Sequence, residues 1–143
     1  MGHILSKLKS FKTTITARYS ETDSMSYVHH SNYLKYYEIG RLGWFKNIGF
    51  SYRKLENNNI ILPVVKTNIT FRKPAFFEDE LLVLTNLINL PSYSIEFEYN
   101  IFRDNELINE GYTKLVFFDK KKKRPIRCPQ NIIDAIINLE KLS

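Results

Sequence analysis

The stretch that decides the fold runs from residue 17 to residue 41: "ARYSETDSMSYVHHSNYLKYYEIGR". An extended run ends at Glu21-Thr22-Asp23. Small or flexible residues follow, then His29 and His30, then a tyrosine-rich segment with helical spacing. Upstream, residues 11 to 19 alternate. Phe11, Thr13, Ile15, Ala17 and Tyr19 share one face, which predicts a half-buried strand. Downstream the period changes. Tyr33, Tyr37, Gly40 and Trp44 recur at three- and four-residue steps, so residues 31 to 48 are predicted to form a helix about 25 Å long. Ser31 and Asn32 are candidate caps at its start, and Gly49 is a candidate stop.

The rest of the chain supplies a surface for that helix. A short helix is expected from Tyr52 to Glu56, then a break at the run "NNN". Residues 60 to 72 read as one long extended segment, with Pro63 limiting pairing near its start. Residues 81 to 88, "LLVLTNLI", read as a buried strand. Residues 93 to 101 alternate, "RDNE" reads as a hairpin turn, and residues 107 to 118 run back. After Pro129 a terminal helix is expected, with Ile132, Ile133, Ile136 and Ile137 as its stripe. One helix followed by a run of strands predicts α+β architecture: a five-stranded antiparallel sheet around one long helix, with a short C-terminal helix. Residues 1 to 143 read as a single domain, without linker or repeat.

Composition narrows the function classes. Hydrophobic residues are 43% and charged residues 25%, ordinary for a globular chain. One cysteine excludes a disulfide framework within the chain, and with no leader-like apolar stretch in "MGHILSKLKSFK" a cytoplasmic protein is expected. No segment has the roughly 20 apolar residues of a membrane span. The net charge of +6 comes from 21 basic and 15 acidic residues, but five of the basic ones form the run Lys120 to Arg124. That run suits a solvated loop or a phosphorylated small molecule. It lacks the broad basic face with aromatic platforms of a nucleic-acid binder, so no nucleic-acid partner is expected.

Asp23 follows the first strand and His30 precedes the helix. A loop of this length can double back, so that a carboxylate faces the amides that open the helix. Those N–H groups lack intrahelical partners and carry partial positive charge. Amides of this kind can polarise a carbonyl and hold an oxyanion, while the carboxylate attacks it or takes a proton from water. Asp23 could equally be an ordinary turn residue. Glu38 and Arg41 could be an i,i+3 pair. Cys128 has no motif partner. The histidines and carboxylates match no zinc spacing, so no metal and no cofactor are expected.

Those residues resemble the signature of the 4-hydroxybenzoyl-CoA thioesterase family, hotdog-fold acyl-CoA thioesterases that include the Tol-Pal-associated bacterial type. The matching positions are Thr22-Asp23, Val28-His29-His30, Asn32-Tyr33 and Glu38-Ile39-Gly40-Arg41, with support from "ITFRKPAFFEDEL" and "FFDKKKKRPIRCP". The resemblance covers roughly residues 10 to 130. It implies the hotdog fold and hydrolysis of an acyl-CoA to free acid and CoA. It puts Asp23 on the catalytic carboxylate and His30 where a backbone N–H polarises the thioester carbonyl. Tyr33 and Glu38 fall near the active-site helix as candidate substrate contacts. Lys121 and Lys122 are candidates for the CoA phosphates. The family further implies a homodimer, often paired into a tetramer, in which Asp23 faces the partner's strand near Thr67 to Phe71.

One departure stands out. The family usually has glycine in the turn, often at the position of Ser26. Here the turn avoids positive φ, is strained, or has moved. Three rival readings remain: a non-catalytic acyl-CoA-binding module, which the glycine-free turn favours; a nucleic-acid binder; and a hotdog dehydratase or hydratase, whose motif is missing.

Overall fold

The structure is a computed structural model and describes residues 10–142. The leader reading therefore rests mostly on residues outside the described ones. Strand β1, Phe11–Thr16, alternates half-buried and exposed residues as expected. It ends earlier than the alternation suggests. Tyr19–Glu21 form a single 3-10 turn, and Tyr19 is exposed instead of sharing the buried face. Helix α1 spans Asn32–Asn47 and α2 spans Tyr52–Asn57. Ser31 makes no capping bond with its side chain, because its Oγ sits 2.8 Å from His29 Nδ1. At the other end Gly49 takes φ +92°, and the Phe50 N–H reaches back to the Phe45 carbonyl at 2.9 Å. That left-handed residue ends the helix cleanly.

The segment read as continuous from 60 to 72 is split around Pro63. Its first part, β2 (Ile60–Ile61), joins a small sheet, while β3 (Val64–Phe71) joins the main one. Strands β4 (Glu80–Leu87), β5 (Ser94–Arg103) and β6 (Glu106–Val116) follow, with Asp104-Asn105 turning the hairpin. A short hairpin, β7 (Phe118–Asp119) and β8 (Arg124–Pro125), completes the small sheet with β2. Helix α3, Gln130–Leu142, buries Ile132 and Ile136.

The main sheet is antiparallel, in the order β1-β4-β5-β6-β3. Helix α1 packs on its inner face, against β1, β4 and β5. The contact is mostly aromatic. Tyr37 stacks on Tyr99 with centroids 4.5 Å apart, and Trp44 meets Phe97 edge-on at 5.0 Å. Each such pair adds about 0.5–1.5 kcal/mol beyond burial. Gly40 lets the helix approach β4, since a Cβ there would collide with the Thr85 hydroxyl. This is the hotdog arrangement. The edge strand β3 is the exception to the packing: every residue but the half-buried Ile69 is exposed, including Val64, Val65 and Phe71. Among the described residues no helix is long and apolar enough to cross a membrane.

Candidate active site

The loop between β1 and α1 is pinched by two bridges, Thr22 to Val28 and Tyr27 to Phe76. Asp23 opens the turn inside that pinch. Its N–H donates to the Tyr27 carbonyl at 2.8 Å, and its carbonyl accepts from the Ser26 N–H at 3.0 Å. Its Oδ1 accepts from the N–H groups of Met25 at 2.8 Å and Tyr27 at 3.2 Å. No donor to Oδ2 is found among the described residues. One carboxylate oxygen therefore braces the turn and the other is open to solvent. Ser26 adopts φ +69°, the left-handed conformation that favours glycine. Of the three outcomes left open by the sequence, the turn takes the strained one.

Helix α1 begins two residues after His30, with Ser31 between them. The Asn32 and Tyr33 N–H groups donate to the carbonyls of His29 and His30 at 2.9 and 3.3 Å. No acceptor for the His30 N–H is found among the described residues. Both histidines are exposed, with ring centroids 4.1 Å apart.

Asp23, His30 and Tyr33 line one cleft of about 430 Å³, together with Tyr27 and Val28. The opposite wall comes from the end of β3 and the residues after it: Phe71, Arg72, Lys73 and Pro74. Tyr33 is buried and meets Phe71 edge-on at 5.3 Å, forming an aromatic floor. Burial pushes the Tyr33 hydroxyl above its ordinary pKa, so it is a neutral phenol at physiological pH. Arg72 pairs with Glu110 and Lys73 with Glu106, each at 2.5 Å. The two cations are held at the cleft wall.

Sequence reasoning named Asp23, His30 and Tyr33, and the fold brings these three together. Glu38, Lys121 and Lys122 do not line the cleft. Glu38 is exposed on α1, 3.8 Å from the buried Arg41. Lys121 and Lys122 sit on the β7–β8 turn, their N–H groups bonded to Asp119 Oδ1 at 2.9 and 2.8 Å. The residues missed were Tyr27, Arg72 and Lys73, although Arg72 and Lys73 fall within the family-like stretch "ITFRKPAFFEDEL"; Phe71, expected opposite Asp23 from a partner subunit, lines the cleft of its own chain. Cys128 is buried and its thiol is pushed up to about 12 by that burial, so it carries no thiolate near neutral pH. A larger hollow of about 590 Å³ includes Lys12, Thr14, Leu82 and Leu84. It lies on the sheet face turned away from α1, remote from the helix amides.

Known proteins share this fold. The model of the thioesterase-like superfamily matches residues 17–136. YneP of Bacillus subtilis (strain 168) is 32% identical over 117 residues, covering 81% of this chain and 85% of that protein. The acyl-CoA thioester hydrolase YbgC of Escherichia coli O157:H7 is 27% identical over 124 residues, covering 86% and 92%. The DHNA-CoA thioesterase of Staphylococcus aureus superposes with a TM-score of 0.86 at 31% identity, covering 93% of this chain and 92% of that one. With 120 consecutive residues inside the family match, the chain belongs to the thioesterase-like superfamily.

Proposed function

We infer that this chain is an acyl-CoA thioester hydrolase that releases a free acid and CoA-SH. The observation that carries the reading is the cleft itself, which Asp23 and His30, at the helix start, line together. The His30 N–H polarises the thioester carbonyl and holds the oxyanion. Asp23 then either takes a proton from the attacking water or attacks the carbonyl carbon, giving an anhydride that water cleaves. In both routes the C–S bond breaks, the sulfur leaves as thiolate, and it gains a proton. The acyl-CoA activities named for YbgC and for the staphylococcal enzyme support this class of substrate. The 4-hydroxybenzoyl-CoA thioesterase family is the subfamily the motif favours, acting as a single domain in the cytoplasm.

A thiol-release assay over a panel of acyl-CoAs tests this. Asp23→Asn keeps the shape and the turn acceptor but removes charge and basicity. Activity should fall at least ~100-fold. A rate within a few-fold of wild type sinks the reading. The rival reading of a non-catalytic module drew on the glycine-free turn. Ser26 reaches φ +69° without glycine, so the turn keeps the conformation glycine would favour, at the cost of strain.

We also propose that the active form is a homodimer, and that dimers pair into a tetramer. Strand β3 is a sheet edge exposed on both faces, with Val64, Val65 and Phe71 uncovered. Free edges of this kind invite pairing. Phe71 lies in the cleft of its own chain, so an edge-to-edge partner on β3 would come close to Asp23. Light scattering decides it: a mass near 17.0 kDa with full activity on dilution excludes the dimer.

A further inference from the structure

Glu21 is a carboxylate that the proposed chemistry does not use. It is 8% exposed, in a loop whose other acid, Asp23, faces solvent. Its Oε1 accepts from the Arg18 N–H and from the Tyr36 hydroxyl, both at 2.8 Å. Its Oε2 faces the Arg18 guanidinium at 3.3 Å. Its main-chain carbonyl accepts from the His29 N–H and from Asn32 Nδ2, again both at 2.8 Å. Tyr36 and Asn32 are themselves buried, at 2% and 6%. One residue thus joins the start of the 3-10 turn at Arg18, the far side of the loop, the first residue of α1 and its second turn.

We propose that Glu21 and Tyr36 are positioning residues, which set Asp23 against the His30 N–H by locking both ends of the loop to helix α1. The inference rests on the reading of Asp23 given above. Asp23 lies two residues beyond Glu21, and His30 one residue beyond His29, so the bonds to Glu21 bracket both reacting groups. Directional bonds are the point of the arrangement. Packing alone is served as well by an apolar side chain, and a buried carboxylate is weak evidence for added stability. Burial by itself raises the pKa of Glu21, but the bonds from the Arg18 N–H, Tyr36 and the Arg18 guanidinium outweigh it and hold the group below its ordinary value. Tyr36 is pushed well above its ordinary value, first by burial and then by its bond to Glu21. Acceptor and donor therefore keep their roles through the neutral range.

The test compares Glu21→Ala, Glu21→Gln, Tyr36→Phe and Asp23→Asn in the thiol-release assay, with melting temperatures and with Ile136→Val on α3 as a control for plain destabilisation. Glu21→Ala and Tyr36→Phe should lower kcat about 10- to 100-fold through misplacement of the carboxylate, with KM within about twofold. Glu21→Gln keeps an acceptor for both donors and should stay within about threefold of wild-type kcat. The combined Glu21→Ala/Tyr36→Phe variant should be no slower than Glu21→Ala, since the two act as one unit. Ile136→Val should melt earlier at unchanged kcat. If Glu21→Ala does not fold, Tyr36→Phe decides. Early melting with kcat within twofold of wild type overturns the positioning role while an inactive Asp23→Asn leaves the site reading standing. An active Asp23→Asn, or a wild type that cleaves no thioester, overturns both.

Discussion

Two turns in this molecule are built alike and sit in different surroundings. In the first, Asp23 Oδ1 accepts from Met25 and Tyr27, and Ser26 takes φ +69°. In the second, Asp119 Oδ1 accepts from Lys121 and Lys122, and Lys123 takes φ +55°. Each uses an aspartate to gather two amides, and each puts a poorly suited residue in the left-handed region, at a cost of about 1–2 kcal/mol. A bracing carboxylate is therefore no mark of catalysis. What separates the two is what lies nearby. Asp23 shares a cleft with the start of a long helix and with Arg72 and Lys73. The Asp119 turn joins two-residue strands of the small sheet, and its lysines are exposed.

The largest expected effect sharpens this contrast directly. Asp23→Asn and Asp119→Asn both keep an acceptor oxygen, so both should melt within about 2 °C of wild type. The first should lose at least ~100-fold in thioester hydrolysis and the second should lose nothing. Equal losses at the two sites would show that the carboxylates matter for the fold alone. Next in size, Asp23→Ala and Asp119→Ala leave two amides without their acceptor. Each should lower stability by about 1 kcal/mol, or about 3 °C in melting temperature. A loss at only one turn would break the structural likeness drawn between them.

The helix and the central strands were legible because burial there follows a period. Tyr33, Tyr37, Gly40 and Trp44 are all buried on one face of α1. Periodicity fails where the chain changes course. Tyr19 continues the alternation of β1 in sequence, but the 3-10 turn carries it into solvent. Two-residue strands show no period at all: the sequence reads Phe118 as the end of the strand from residue 107 and Lys120 to Arg124 as a loop, where the structure has the β7–β8 hairpin. Asp23 and His30 were legible because a turn acid and a helix start lie close in sequence. Arg72 and Lys73 were not. Their N–H groups bond the Ile108 carbonyl at 3.0 and 3.1 Å, so their place depends on a distant strand. The i,i+3 spacing made the Glu38–Arg41 pair legible, at 3.8 Å, but not the burial of Arg41, which is 6% exposed beside Tyr52 and Tyr99.

Smaller effects test the strain. Ser26→Gly and Lys123→Gly relieve the left-handed residue and should each raise stability by about 0.5–1 kcal/mol, less what the freer unfolded chain takes back. If the Asp23 turn already holds the working geometry, Ser26→Gly should keep kcat within about threefold. A tenfold gain would show that serine distorts the site.

The smallest effect concerns the ligand's phosphates, where the two regions compete. CoA carries phosphates, which lysine and arginine clusters attract. Lys121 and Lys122 are exposed on the second turn, whereas Arg72 and Lys73 are in the cleft wall with Glu110 and Glu106 partly neutralising them. A surface charge acts at long range and is screened over about 10 Å at 0.1 M salt. Neutralising Lys121 and Lys122 should therefore raise KM by about twofold at low salt, with kcat unchanged, and the effect should vanish as salt is added. Arg72→Ala should raise KM by more, and the increase should persist in salt, because contact in a cleft is screened less than attraction at a distance. A KM that ignores Lys121 and Lys122 even at low salt would remove the basic turn from substrate capture. A KM that ignores Arg72 would place the phosphates outside the cleft of this chain, and would return the question to a partner subunit seated on β3.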